Sequence, residues 1–523
     1  MKRELFHLSA DDPRYGGGQY IGKLYTEALG RMPDPAGYHY FQDMIFTKGC
    51  KAETLGEMAK IFFAGFEYEA LGLNGKQKAI TLCRALLNRD PSYQEILETE
   101  SKLGKQSIED IIDDMIASDA FKKLLPGILH GPYYFGGANY GYSISGRIYS
   151  ARELMDMLEK TEKEVALEPG DLVLANEPII IPKGKKLTTR DGYGRHYLKM
   201  ARIVRTSPFN RGVVNMSDNT ECSGIWIDGN RQPFSDFCQK TARRGVNIGV
   251  DGDHSIICGN RLTDSIGGTT IELYSCRDTL IRHNLITVYA SSHFDEKWCD
   301  GITAHGTGTV IEDNGMVDAT DVSVVIFRFT PGGPQNSVCK RNTMINIGNS
   351  AFGGINADGW VNHEEPWDFT GCEFSDNIFW TSYRAHQHIC LSFATFAWMC
   401  DRGTHCLNAK MNDNRTPEGL FVLCGAGIAV DGQKNCEVRG NEIDIYLGPW
   451  TNPEIGLTEP QAICMNTLTS TGSVQGPYED VPMFVEGRGF IHGPWREPFA
   501  DVVLEKVSIR KDGVLRGKAD ICR

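Results

Sequence analysis

Side chains able to move protons concentrate between residues 264 and 388 of this 523-residue chain. Asp300, Asp321 and Glu272 form the leading set, and His293 and His305 flank Asp300. Carboxylates brought close together titrate apart, because the charge of one holds a proton on the other. Such a pair supplies an acid for a leaving oxygen and a base or nucleophile on the other side of the bond, which is the chemistry of glycoside cleavage. His293 and His305 are candidates for a base or for orienting an acid. Arg328 and Arg384 are candidate substrate ligands, a guanidinium being matched to a carboxylate. Trp298 and Trp360 offer flat apolar faces for sugar rings, and Asp318 completes the candidate substrate-binding set. Asp318 with Asp321 would also suit Ca²⁺; no other cofactor is expected, since His386-Gln-His388 lacks a third metal ligand at a fixed spacing. Each of these residues also has a bland reading: Asp at a strand corner serves as a turn residue, a single His as a satisfied loop residue, and Trp as packing on a sheet wall.

Residues so far apart in sequence need a repeating frame to meet, and one short phrase supplies it. It reads Cys258-Gly-Asn260-Arg-Leu262, Arg282-His-Asn284-Leu-Ile286, Glu312-Asp-Asn314-Gly-Met316, Lys340-Arg-Asn342-Thr-Met344, Ser375-Asp-Asn377-Ile-Phe379 and Arg439-Gly-Asn441-Glu-Ile443. Successive Asn residues are 24, 30, 28 and 35 apart, and the longer gap from Asn377 to Asn441 leaves room for one degenerate copy, expected near Asn408. Short apolar runs bounded by Gly, Asp and Asn, such as Leu172-Val-Leu174 and Ile225-Trp-Ile227, repeat at this period with no helix between them. That excludes βαβ units and predicts a solenoid of stacked coils, with Asn satisfying the turn backbone of its own coil and its neighbour. Aligned on Asn, Glu272, Asp300 and Asp321 fall on neighbouring coils. At ~4.8 Å per coil, carboxylates one or two coils apart reach the ~5–5.5 Å of retaining or the ~6.5–9.5 Å of inverting glycosidases.

From about 170 to 450 the chain resembles the right-handed parallel β-helix (pectin-lyase-like) family, most clearly in Asp300-Gly-Ile-Thr303 and Glu312-Asp-Asn314-Gly-Met-Val-Asp318-Ala-Thr-Asp321. The resemblance implies a mainly β fold and a polysaccharide-related role, since the family holds lyases, glycoside hydrolases, epimerases, esterases and phage tailspikes. Before it, helical periodicity occurs twice: Leu24-Tyr-Thr-Glu-Ala-Leu29-Gly-Arg31 returns as Leu82-Cys-Arg-Ala-Leu-Leu87-Asn-Arg89, each followed by a Pro break. The wording Tyr25…Leu29-Gly-Arg31…Asp34-Pro-Ala-Gly37-Tyr38 is similar to a helical repeat domain of bacterial exported proteins, akin to the phycobilisome linker domain, which implies docking rather than catalysis. The expected layout is an α-helical domain over 1–125, a connector with a capping helix over 126–169 (Ser150 capping a helix from Ala151 to Val165), the β-helix over 170–450, and a C-terminal cap with loops over 451–523.

A net charge of −13 with no Lys/Arg cluster argues against nucleic acid or an anionic membrane as partner. No run reaches the ~18 apolar residues of a membrane span, and no secretory signal is read, so the expected location is cytoplasmic at synthesis, with leaderless export or a virion as alternatives. The 16 cysteines are scattered and are expected to be reduced, buried and small apolar in effect. The expected partners are a polysaccharide or oligosaccharide, a second copy of the chain, and a protein or surface docked by the helical segment. Three readings of function follow: a glycoside hydrolase using the paired carboxylates; a polysaccharide lyase or epimerase on an acidic glycan; and a non-catalytic glycan-binding surface or tailspike-like protein.

Overall fold

The computed structural model describes residues 13–514 except 132, 235–236, 238–244, 290–297, 328–333, 359–366, 394–405, 425, 432, 435–436, 448–460, 467–469, 472–482, 485–501 and 506–507. Among the described residues, three all-parallel sheets of nine, eleven and twelve strands run from Ile148 onward, each strand pairing with the equivalent strand of the coils before and after it. Each coil passes through the three faces in turn, here called B, A and C. Ile256–Cys258 (face B), Arg261–Thr263 (face A) and Thr269–Leu273 (face C) make one coil, and Leu280–Arg282, Leu285–Thr287 and Asp300–Ala304 make the next. This is a parallel β-helix.

Alternation along each strand sends every second side chain inward, where like stacks on like. Ile257, Ile281, Ile311, Cys339, Phe374 and Met411 line up on face B, and Ile271, Ile302, Val324 and Ile355 on face C, all buried in one core. The ten described cysteines are buried free thiols, as expected.

Along the coils from Asn260 to Asn441 the corner between faces B and A is two residues long. Its first residue is left-handed (His283, Asp313, Arg341, Asp376 and Asp413 at φ 55–57°) and its second is the repeated Asn. Each Asn Oδ1 accepts both the backbone N–H and the Nδ2 of the Asn one coil earlier at 2.9–3.1 Å, through Asn260, Asn284, Asn314, Asn342, Asn377, Asn414 and Asn441. The degenerate copy is therefore Asn414 and not Asn408. Asn408 lies in another turn, where its Nδ2 donates to Asp368 at 2.9 Å.

Ser150 caps the predicted helix through a reciprocal bond with Glu153, and Ala151, Leu154 and Leu158 close the end of the core. That helix ends at Lys160; Val165 belongs to the strand Glu164–Leu167, whose two-residue alternation suits pairing with Lys186–Thr189. The first coil starts at Ile148, which pairs with Leu172, and strands of a further coil lie beyond 450: Gln461–Asn466 continues face C and Val502–Glu505 continues face B.

Helices Pro35–Lys48, Ala52–Phe63, Gly75–Leu87, Tyr93–Leu103, Ile108–Ala117 and Asp119–His130 form the N-terminal region. They do not stand apart from the solenoid. Tyr20, Leu24, Tyr38 and Phe62 share one core with Tyr289, Val317, Ile345, Trp380 and Leu420 of face A and its flanking turns. The apolar side of these helices is thus buried against the chain's own β-helix.

Charges cross this buried seam. Glu27 receives Arg84 at 2.6 Å and Arg261 of face A at 2.7 Å; Arg84 also meets Asp90, and Arg202 joins Asp90 (2.7 Å) to Asp228 (2.6 Å). Against burial, Arg84, Arg261 and Lys23 hold the Glu27 carboxyl at about 2. Glu27→Gln would leave Arg261 buried without a salt bridge among the described residues and Arg84 with Asp90 alone, and is expected to destabilise the protein by about 3–5 kcal/mol. Chemical denaturation checks this, and an unchanged midpoint would contradict the seam's role.

Candidate active site

Face C brings three of the expected acids to one patch. Asp300 opens the strand Asp300–Ala304, and Asp321 immediately precedes Val322–Phe327 one coil on. The Asp300 carboxylate accepts the Val322 N–H at 2.9 Å and the Thr303 hydroxyl at 2.8 Å, so it is aimed at the start of the neighbouring coil, beside Asp321. Glu272, one coil earlier, pairs in register with Thr303 and accepts the Tyr274 hydroxyl at 2.5 Å. Asp300 and Asp321 are 7% and 8% exposed, whereas Glu272 is half-buried.

Burial penalises charge on both aspartates. It drives the Asp300 carboxyl well above the usual carboxylate range, and the charges of Asp321 and Glu272 push it further, against the hydrogen bonds from Thr303 and Val322. Burial pushes Asp321 up to about 7. Two such groups cannot both ionise cheaply, so near neutral pH the pair keeps one proton between them. His305 continues the outer row of the same strand beyond Thr303, and burial pushes its imidazole down to about 3, so it is neutral where the pair exchanges a proton. That makes His305 a poor base. Half-buried Trp298 lies against Gly268, where an added methyl group would stand 2.9 Å from Cζ3, and Gly268 O accepts the Asp300 N–H. An indole thus stands at the edge of the acid patch.

The remaining expected residues do not gather there. Asp318 is wholly buried: its Oδ1 accepts the N–H groups of Ile347 (2.7 Å) and Gly348 (3.0 Å), and its Oδ2 accepts Gln19 Nε2 (3.1 Å) of the helical layer. It ties a corner to the helices and presents no surface to a substrate, nor an oxygen for Ca²⁺ shared with Asp321. Arg384 occupies an A-to-C corner on the helical side, close enough to Cys50 to influence its thiol. His386 Nδ1 is engaged with Ser350 Oγ at 2.7 Å. His293, Arg328 and Trp360 lie outside the described residues. Among the described residues no group of three or more His, Cys, Asp or Glu could hold a metal ion, and no helix is long and apolar enough to cross a membrane. Thr303 and Tyr274, which hold Asp300 and Glu272, were not among the expected residues. Thr303 is on the strand of Asp300, three positions further on, and Tyr274 directly follows the strand of Glu272, two positions further on, which is a signal readable in sequence once the strand is drawn.

The titration has a definite sign for stability. An unfolded Asp loses its proton near 3.8, whereas folded Asp321 keeps it to about 7, so stability falls as pH rises across that window. Asp321→Asn removes the ionisation and is expected to raise stability at pH 8 by up to about 4 kcal/mol while changing it little at pH 4. Thermal melts at the two pH values test this; equal shifts at both would refute it.

No family model matches this chain, and no curated protein matches it. Solved structures similar to it include the A-module of a mannuronan C-5 epimerase of Azotobacter vinelandii (13% identity over 69% of this chain and 99% of that one, TM-score 0.40). An endo-xylogalacturonan hydrolase of Aspergillus tubingensis (10%, 70% and 93%, TM-score 0.39) and a surface adhesin of Streptococcus pneumoniae (10%, 70% and 92%, TM-score 0.40) are also similar. Likeness at this level carries no activity across. By its own sheets and side chains, the chain is a parallel β-helix clad on one face by its N-terminal helices and carrying a buried carboxylate pair on another.

Proposed function

We propose that the protein is a glycoside hydrolase that cleaves a polysaccharide or oligosaccharide on face C. The observation that carries this reading is the Asp300–Asp321 pair, two buried acids at the start of neighbouring strands, with the Asp300 carboxylate held by the Val322 N–H beside Asp321. Asp300, raised further by its neighbours, donates that proton to the glycosidic oxygen as the bond breaks. Asp321, ionised, either activates a water or attacks the anomeric carbon itself; the product sugar takes the hydroxyl and the pair regains its proton from water. Thr303 keeps Asp300 aimed, Glu272 adds the charge that favours its protonated form, and Trp298 offers a face for a sugar ring.

A glycan panel tests the proposal. New reducing ends without the ultraviolet absorbance of an unsaturated uronate are expected, with kcat/KM bell-shaped in pH about a neutral optimum. Asp300→Asn and Asp321→Asn are each expected to lower kcat by about 10²–10⁴-fold with folding intact. Unsaturated product would reassign the chemistry to elimination. Full turnover in both variants would remove this pair from catalysis.

A further inference from the structure

A groove of about 670 Å³ lies on face B at the N-terminal end of the solenoid, away from the carboxylate pair. Its floor is the outer row of the first coils: Ala166, Thr188, Ser223, Cys258 and Arg282, which follow one another in strict register. Its wall is the segment Arg190–Tyr193, which leaves the sheet after Lys186–Thr189. Corner glycines make room for that wall. Where later coils carry His283, Asp313 or Arg341 at the left-handed corner position, the two coils beneath the wall have Gly224 and Gly259. A methyl group on Gly259 would stand 2.3 Å from Tyr193 Cδ2, and one on Gly224 would stand 2.8 Å from the Tyr193 backbone nitrogen. Tyr193 is 50% exposed nonetheless, its ring set edge-on to His283 at 6.2 Å, so an aromatic face is held in place and left open to solvent.

The charges of the groove are unevenly satisfied. Lys186 sits between Glu221 (3.1 Å) and Glu164 (3.7 Å), and Arg190 pairs with Glu168 at 3.0 Å. Arg282 has no salt bridge among the described residues, and its Nε has no hydrogen-bond partner. The acid beside it in the row, Glu312, is taken by Arg341 (2.8 Å) and Lys340 (3.5 Å). A guanidinium short of a carboxylate beside a fixed aromatic face is the complement of a sugar that carries a carboxylate.

We propose that this groove binds an acidic saccharide, with Arg282 pairing its carboxylate and Tyr193 stacking on a ring. The proposal takes its ligand class from the saccharide reading of face C, but its site is separate. It makes the protein a two-site glycan binder, in which face B holds an acidic stretch of the chain that face C cleaves.

The test titrates the full chain carrying Asp300→Asn, which blocks turnover, with tetragalacturonate and with a neutral tetrasaccharide, followed by calorimetry. Tetragalacturonate is expected to bind more tightly than the neutral sugar and to weaken with added salt. Tyr193→Ala and Arg282→Gln are each expected to weaken it by about tenfold or more, while Tyr193→Phe, which keeps the ring, retains it. Loss of the salt effect in Arg282→Gln identifies the paired charge. Equal affinity in Tyr193→Ala, Arg282→Gln and the parent, or no preference for the acidic sugar, overturns the proposal. If no glycan is cleaved by the unmutated chain while binding still depends on Tyr193 and Arg282, the face C reading fails and this one stands. Cleavage without such binding has the opposite meaning.

Discussion

The asparagine ladder is the constraint on which the rest of the molecule depends. Each Oδ1 takes two donors from the coil before, and each Nδ2 also donates to a main-chain carbonyl of that coil, as Asn314 does to Ile281 at 3.0 Å. A buried corner made this way leaves no backbone group unsatisfied, which is what permits it to be only two residues long. Its shortness fixes the phase of faces B and A in every coil of the ladder. Variation in the length of those coils is absorbed at the other two corners, both of which flank face C. The connection from Val288 to Cys299, which brings in Trp298, is of this kind. Before the ladder the constraint is absent, and the longer B-to-A connection between Lys186–Thr189 and Ala201–Arg205 supplies the wall of the face B groove.

Much of this was legible because it is local. The phrase of Asn, a variable residue and an apolar one reports a corner and the first inward residue after it, so it found most of the ladder. It missed Asn414, where Thr416 stands in the apolar place, and pointed to Asn408 instead. Asp300 and Asp321 could be brought together on paper because their coils are short and the ladder counts them. Asp318 could not be separated from them by the same count. It lies at a corner with φ 58°, and its destination is set by Gln19, 299 residues earlier in the chain. Nothing local encodes that approach, and Arg384 was misplaced for the same reason: a helical layer covers the corner it occupies.

The seam between helices and solenoid carries four cations (Lys23, Arg84, Arg202, Arg261) and four anions (Glu27, Asp90, Asp228, Asp264). Burying them costs desolvation that apolar residues would avoid, so their return is positional: a helical layer slid along face A by one coil would set Glu27 against the wrong side chain in place of Arg261. Aromatic rings hold the same register, with Arg202 3.9 Å from the Trp226 ring centre and Lys23 3.9 Å from that of Tyr289. Burial pushes the Lys23 ammonium down to about 7, against the pull of Glu27 and Asp264. The seam is apolar in bulk and specified by its charges.

That arrangement has a consequence for the order in which the protein is made. The helices leave the ribosome first, yet the surface that covers Tyr20 and Tyr38 includes Trp380 and Leu420, which are synthesised hundreds of residues later. For most of translation the helical segment must therefore expose apolar side chains, waiting for coils that do not yet exist. Contacts this distant in sequence are slow to close and leave nascent chains open to aggregation. The β-helix can grow coil upon coil, but its cladding is completed only once the coils of Trp380 and Leu420 have been made.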